Sequence, residues 1–182
     1  YPKGGGHFIA HIEPSRLSPL QMTDRPNLRA IRLVVVLSHL NQSVAEREFA
    51  TAQAGLSALG LADKVSTEIL QFHSPGPGNL FMIQVEMDGW SAGFSSIGAK
   101  GKPAEAVAQE ALTEFVLFWN QTAPVEKHLA DQLLLPLTFA SGDSAYRVDS
   151  VSLHLLSNAY IIQHFHPVKI AIQGAEGQPG LV

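Results

Sequence analysis

Residues 29–38 read RAIRLVVVLS, and this stretch decides the fold. Its apolar and largely β-branched side chains are typical of a strand, and because the run is nearly continuous we expect a buried one. Further along, Ser43 and Glu46 have the spacing of a capping box. Apolar residues then recur at helical spacing as far as Leu59, and Gly60 supplies a stop. The stretch and its surroundings therefore predict a buried strand followed by an amphipathic helix.

Periodic patterns continue outward from this pair of elements. Three strands, one helix and a hairpin signal at Asp88-Gly89 complete the first group. The second group has two helices and two strands. The predicted strands lie at 64–72, 80–87, 90–97, 146–150 and 168–172, and the predicted helices lie at 103–121, at 125–135 and from Ser152 to about residue 165.

The order of these patterns predicts the fold class and the domain organisation. They form a β-α-β-β-β-α unit at 29–121 and an α-β-α-β unit at 122–173. We therefore predict an α+β protein (mixed α/β layers) built from two-layer β-α units. Residues 1–28 are irregular and rich in proline, and residues 174–182 are expected to be a loose tail.

Composition limits the classes of function. The charged fraction is 15%, which is low and suggests much buried surface or a face that normally meets something else. A net charge of −4 argues against a long nucleic-acid footprint, so an RNA substrate would be contacted at one end. The chain has no cysteine, which excludes cysteine chemistry and is compatible with a reducing compartment. No run is long and apolar enough to cross a bilayer, so we expect a cytoplasmic protein without a membrane partner.

His154 is the main candidate for chemistry. It falls in the first turn of the predicted helix from Ser152, where backbone N–H groups are unpaired and the helix end is partly positive. Such an end favours phosphate, and an uncharged imidazole there is able to act as a nucleophile. The alternative is a structural histidine that only makes local hydrogen bonds.

A second polar group lies on the preceding helix. His128, Asp131 and Gln132 have i, i+3 and i+4 spacing and so share one face. Together they could read a ribose and a base, or hold a metal, and the alternative is an ordinary solvated helix face.

The other motifs are weaker. Two histidine pairs, His7 with His11 and His164 with His166, lack a carboxylate that would complete a metal site, so no metal ligands are predicted. Glycine-rich segments at 4–6 and 76–78 do not fit a phosphate-binding pattern. The loop at 95–101 has hydroxyls, glycines and a lysine, and it suits either phosphate contact or a plain connection.

Several segments together resemble the C-terminal half of the RNA 3′-terminal phosphate cyclases. The resemblance runs from Tyr1 to about Ile172, and its most specific parts are the helix ADQLLLP at 130–136 and the segment HLLSN at 154–158. The segments YPKGGG at 1–6, VAERE at 44–48 and GPGN at 76–79 support it by order and spacing.

The resemblance implies a particular domain arrangement. Residues 1–28 would be a remnant of the family's large domain. Residues 29–121 would be its inserted small domain, with a fold similar to the C-terminal domain of translation initiation factor three. Residues 122–173 would form the last repeat of the large domain.

The resemblance also implies a reaction. The family uses ATP, with magnesium or manganese, to convert an RNA 3′-phosphate end to a 2′,3′-cyclic phosphate through a covalent histidine–AMP. On this view the protein is an enzyme of ligase-type nucleotidyl transfer, and its substrates are ATP and RNA 3′-phosphate ends.

The same resemblance assigns residues. His154 matches the nucleophile, and Asp131 and Gln132 match residues near the nucleotide. His128 stands where the family often has a tyrosine beside the adenine, and an imidazole is still able to stack there. Ser95 and Ser96 match a small-domain loop that approaches the nucleotide.

The family's N-terminal repeats, which hold phosphates and metal, have no counterpart in this sequence. We therefore expect the missing N-terminal half to be a required partner and this chain alone to be inactive. Two alternatives are non-catalytic: a cyclase-like scaffold for ribosome assembly, and an RNA- or protein-binding module formed by the insert. His154 argues against the first, and the acidic balance argues against broad RNA binding.

Overall fold

The structure, a computed structural model, describes residues 7–182, and it divides them into two compact units. The first unit contains Pro26–Leu117, and the second contains Phe8–Arg25 and Phe118–Val182. The strands are β1 (Gln21–Met22), β2 (Leu28–Ser38), β3 (Val65–Gln71), β4 (Gly78–Met87), β5 (Trp90–Ile97), β6 (Ala145–Val148) and β7 (Gly180–Leu181). The helices are α1 (Ser43–Ala58), α2 (Ala104–Asn120), α3 (Lys127–Leu137) and α4 (Leu153–Phe165). This is an α+β fold, so the predicted class is confirmed.

The first unit is organised around β2. Its sheet has the order β3-β2-β4-β5, with β2 parallel to β3 and antiparallel to β4. Alternate β2 residues, including Ile31, Leu33 and Val35, are fully buried. The helix α1 makes the crossover between the two parallel strands, as parallel neighbours require, and it buries Phe49 and Leu56. The predicted buried strand at 29–38 is therefore confirmed.

The second unit is organised around β6. The sheet has the order β1-β6-β7, with β1 parallel and β7 antiparallel to β6. Two β6 side chains, Tyr146 and Val148, are buried, as are Ala130 of α3 and Leu155 of α4. The two helices pack against each other. None of the helices in residues 7–182 is both long and apolar enough to span a membrane.

The tail differs from the prediction. Residues 168–172 were expected to be a strand and 174–182 to be loose, but the strand β7 lies at Gly180–Leu181 and pairs with β6. Among the described residues the 168–172 segment has no ladder partner, and its Ile170 N–H donates instead to the Gln163 side chain. Both edges of β6 are occupied by β1 and β7, so this segment does not pair with β6.

The start of α1 and the last residue of α3 also differ from the predicted helix ends. The residue before α1 is Gln42, whose side chain makes no capping bond, and the Ser43 N–H donates to Asn41 Oδ1. The predicted capping box is therefore wrong, because Ser43 is already helical. Pro136 lies inside the last turn of α3, which runs two residues beyond 135 to Leu137, so the helix ends near this proline as predicted. Proline has no backbone N–H to bond the carbonyl four residues earlier, and the helix continues for only one residue after it.

Candidate functional site

The site is built where α3 and α4 begin. Val125, just before α3, forms a parallel bridge with Val148 at the end of β6. The Val125 N–H donates to the Arg147 carbonyl over 3.2 Å, and the Asp149 N–H donates to the Val125 carbonyl over 3.0 Å. Since parallel segments leave a sheet at the same edge, the two helix starts lie on the same side of the second unit.

The two helix N-termini are capped differently. The Glu126 carboxylate accepts the backbone N–H groups of His128 and Leu129, so a negative charge meets the positive end of α3. At α4, the hydroxyl of Ser152 accepts the Leu155 N–H over 3.1 Å, which confirms the predicted cap. The first turn of α4 has no acidic residue. The end of α4 therefore keeps more of its positive partial charge, which favours an anion.

His154 lies in this first turn of α4 and is exposed. Across the described part of the chain, its ring has no hydrogen-bond partner, while its backbone carbonyl accepts from the Ser157 hydroxyl. The imidazole is therefore accessible to a ligand and is not held by local hydrogen bonds. The alternative of a locally bonded structural histidine does not describe this geometry.

Asp131 of α3 is tied to the α4 face that carries His154. Its Oδ2 accepts from Asn158 Nδ2 over 3.2 Å. Asn158 follows His154 by one helical turn, so both project from one face of α4. His128 and Gln132 are exposed on α3, and His128 precedes Asp131 by one turn. Asn158 thus connects Asp131 on α3 to the face of α4 that carries His154. Asn158 belongs to the HLLSN segment, but no role was predicted for it from the sequence.

Ser95 and Ser96 lie on β5, in the first unit, where they face opposite sides of the sheet. Ser95 is exposed. Ser96 is only 7% exposed, its hydroxyl donates to Glu110 Oε2 over 2.7 Å, and it accepts from Lys102 Nζ over 3.2 Å. The Lys102 ammonium and the Ser96 hydroxyl together lower the pKa of Glu110. Ser96 therefore has a full set of internal partners, and its nucleotide role stays a prediction.

One charged residue near these helix starts, Asp149, was not identified from the sequence. Asp149 directly follows β6, and burial together with the nearby Glu126 charge raises the pKa of its carboxyl group. Its Oδ1 is buried without a hydrogen-bond partner among the residues that the structure describes. Asp149 lies near the end of a predicted strand, at the edge from which α3 and α4 begin. That position could have identified it from the sequence.

The remaining motifs do not form a site. Among residues 7–182 no group of three histidine, aspartate or glutamate side chains is placed to hold a metal ion. His164 stacks on Tyr160 and His166 on Phe139, so this pair makes aromatic contacts. The glycine run at 4–6 lies outside the described residues.

Comparison with known proteins agrees with this architecture. A family model described as "RNA 3'-terminal phosphate cyclase (RTC), insert domain" matches residues 23–119. Proteins called RNA 3′-terminal phosphate cyclase align with nearly all of the chain. The one from Koribacter versatilis is 39% identical over 178 residues, covering 97% of this chain and 49% of the relative. The one from Methanopyrus kandleri is 35% identical over 188 residues, covering 100% of this chain and 53% of the relative.

The first unit, with its four-stranded mixed sheet and two helices, falls within a match to a cyclase insert domain. The chain belongs to the RNA 3′-terminal phosphate cyclase family. It spans about half the length of the curated relatives that it matches.

Proposed function

We propose that this chain carries the nucleophile and part of the nucleotide site of an ATP-dependent RNA 3′-terminal phosphate cyclase. The substrate class is an RNA end with a 3′-phosphate, and the product is a 2′,3′-cyclic phosphate. The observation that carries the proposal is the exposed His154 ring at the N-terminus of α4, where a neutral hydroxyl is the cap.

The proposed chemistry begins with an imidazole nitrogen of His154 attacking the α-phosphorus of ATP. A P–N bond forms, the bond between the α-phosphorus and the bridging oxygen breaks, and pyrophosphate leaves. An oxygen of the RNA 3′-phosphate then attacks the same phosphorus and releases His154. Finally the neighbouring 2′-OH loses its proton to water and attacks the activated 3′-phosphorus, and the bond from that phosphorus to the oxygen of AMP breaks as AMP leaves. The backbone N–H groups at the start of α4 support the first step, because they favour the charge on the phosphoryl oxygens.

We assign the nucleotide contacts to the α3 face. The Asp131 carboxylate is able to accept hydroxyl groups of a ribose, and Gln132 and His128 are exposed beside it. An imidazole such as His128 is also able to stack on a base. Ser95 and Ser96 are also proposed as nucleotide contacts, and Ser95 is the better candidate because it is exposed.

Magnesium or manganese is the expected metal, but the described residues do not supply a protein ligand set for it. The fit is therefore better for a metal carried by the triphosphate than for one held by this chain.

We further propose that residues 29–121 are the inserted domain and that residues 1–28 and 122–173 belong to the large domain. The remaining half of such an enzyme would be the partner that supplies phosphate-binding residues. Several exposed apolar side chains in the second unit, among them Leu153, Tyr160 and Phe165, are compatible with such a partner. The setting proposed for the reaction is the cytoplasm, which suits a chain without cysteine.

The test is transfer of label from [α-³²P]ATP to the protein. The chain alone is expected to label weakly or not at all. A chimera that joins it to the part of the Koribacter versatilis relative that it does not match is expected to label stoichiometrically and to cyclise an RNA 3′-phosphate. His154→Ala should abolish the label in the chimera, whereas His73→Ala, an exposed histidine of the first unit, should not.

The same experiment separates the alternatives. A scaffold or a plain binding module would show no label in any version and would be indifferent to His154→Ala. Strong labelling of the isolated chain would contradict the need for the other half, and labelling of the His154→Ala chimera would remove His154 as the nucleophile.

A further inference from the structure

The residue that leads into α4 is enclosed by the end of the described chain. Val151 immediately precedes the cap Ser152, and it is completely buried. Residues 174–180, here called the glycine clamp, fold around it. Any displacement of Val151 would therefore displace Ser152 and the first turn of α4.

The glycine clamp uses both backbone polar groups of Val151. The Val151 N–H donates to the Gln178 carbonyl over 2.8 Å, and the Gly177 N–H donates to the Val151 carbonyl over 2.9 Å. Two short hydrogen bonds to one residue fix the position of its peptide planes. The residue before the cap is thus held from both sides by the clamp.

The clamp also encloses the side chain, at a distance that only glycine permits. A Cβ on Gly180 would lie 2.5 Å from Val151 Cγ2 and 2.6 Å from the Gln173 carbonyl oxygen. A Cβ on Gly174, whose φ is +131°, would lie 2.8 Å from the Pro179 carbonyl oxygen. These two glycines are therefore required by close approach of the backbone.

The clamp is itself anchored to the sheet. Gln173 and Leu181 exchange two backbone hydrogen bonds of 2.8 Å, which close the loop. Beyond it, Val182 and Tyr146 of β6 exchange two more, each of 3.0 Å. The clamp is consequently a fixed element of the second unit, and its position is transmitted to Val151.

We infer that the glycine clamp is a positioning element that sets where His154 stands for its reaction. This inference rests on the proposed function, because it concerns the same histidine. The clamp touches neither the His154 ring nor a reacting group, and it acts through Val151 and the Ser152 cap. A misplacement of the nucleophile by about 1 Å is enough to slow a reaction by about a hundredfold.

The test compares three changes in the chimera described above. Gly180→Ala introduces the clash, Val151→Ala removes the Cγ2 contact but keeps both backbone hydrogen bonds, and the double variant relieves part of the clash. Gly93→Ala is the matched control, since nothing lies within 4 Å of the added Cβ. The measurements are the single-turnover rate of AMP transfer to His154, the KM for ATP, and amide hydrogen exchange at residue 151 and at Leu155, whose N–H groups donate to the Gln178 carbonyl and to the Ser152 hydroxyl.

Gly180→Ala is expected to lower the rate of AMP transfer by about 10- to 100-fold with KM for ATP nearly unchanged, because positioning affects the chemical step. Exchange at residue 151 and at Leu155 should accelerate, and the double variant should regain part of the rate. Gly93→Ala should match the parent in all three measurements. If Gly180→Ala does not fold, Val151→Ala carries the test, with a smaller loss of rate and the same faster exchange.

Two results would overturn the inference. One is that Gly180→Ala and Val151→Ala both fold but change neither amide hydrogen exchange nor the rate of AMP transfer. The other is faster exchange with an unchanged rate, which would make the clamp a stabilising feature only. Failure of the proposed function is distinguishable from these results, because the parent chimera itself would then acquire no label from ATP. Amide hydrogen exchange in the chain alone would still report on the clamp.

Discussion

Asn79 Nδ2 donates to Glu48 Oε1 over 2.5 Å in the core of the first unit. The second polar atom of each side chain is an oxygen, Glu48 Oε2 and Asn79 Oδ1, and both are buried without a hydrogen-bond partner in the described part of the chain. Two acceptors cannot satisfy each other unless one of them carries a proton. Burial of the fully inaccessible Glu48 side chain raises its pKa, which favours the protonated form that would supply this donor.

The first prediction concerns pH. The Glu48 carboxyl has a raised pKa in the folded chain, because burial and the Glu105 charge outweigh the Asn79 hydrogen bond and the Arg47 charge. The folded state therefore binds more protons than the unfolded state, and the contribution of Glu48 to stability falls as pH rises. It should be fully present below the ordinary value of 4.5 and be lost as pH passes through the raised value. Urea unfolding of the first unit at several pH values measures this slope.

The second prediction is that Glu48→Gln removes this pH dependence. Glutamine has the same shape as a protonated glutamate, with one donor group and one acceptor, so it is able to pair with Asn79 at any pH. Its free energy of unfolding near pH 7 should equal or exceed that of the parent. Asn79→Ala is the contrasting variant and should cost about 1–3 kcal/mol, because it leaves the buried carboxyl unpaired. Equal slopes in parent and Glu48→Gln would contradict a proton on Glu48.

The third prediction concerns the bond between Asn158 and Asp131. Asn158→Ala frees the Asp131 carboxylate, and in the labelling chimera we expect KM for ATP to rise by about three- to tenfold, equivalent to roughly 1 kcal/mol for one hydrogen bond. The exchanged pair Asp131→Asn with Asn158→Asp restores a hydrogen bond but moves the charge to α4. It should recover stability but not ATP affinity. Full recovery of KM would show that the position of the carboxylate does not matter.

The fourth prediction concerns Arg25. Its guanidinium donates to the carbonyl groups of Phe118, Trp119 and Ala123 over 2.6–3.1 Å, and it lies 4.5 Å from the centre of the Phe118 ring. Arg25→Lys keeps the charge but loses the forked geometry, so thermal unfolding should show a loss of about 2 kcal/mol. Arg29→Lys, at an exposed ion pair with Asp88, is the control and should change stability by less than about 0.5 kcal/mol. Equal losses of stability in the two variants would contradict a stabilising role for the Arg25 hydrogen bonds.

The fifth prediction concerns Tyr146. Its buried hydroxyl donates to the Ala130 carbonyl over 2.8 Å and so joins β6 to α3. Burial raises the pKa of this phenol, so the hydroxyl stays protonated in the physiological range. Tyr146→Phe should cost about 1 kcal/mol in urea unfolding. Tyr160→Phe, at a position 62% exposed, should have no measurable effect on stability. Equal losses of stability in the two variants would contradict a stabilising role for the hydrogen bond between Tyr146 and Ala130.

The local elements followed from the sequence. The buried strand β2, the crossover helix α1 and the Ser152 cap of α4 agree with their patterns, because strand alternation, helical spacing and a capping hydroxyl involve only residues close together in the chain. The family resemblance likewise came from contiguous motifs. Where these local signals were ambiguous, as at Ser43 and Pro136, helix ends shifted by one or two residues.

The long-range pairings came from the tertiary structure alone. Residues 168–172 have a good strand pattern but no strand partner among residues 7–182, while Gly180–Leu181 have a poor pattern and pair with β6. The bonds from Asn158 to Asp131 and from the glycine clamp to Val151 join residues whose separation in sequence carries no periodic signal. A strand or a hydrogen bond needs a partner in space, and the partner is fixed only when the whole unit has packed.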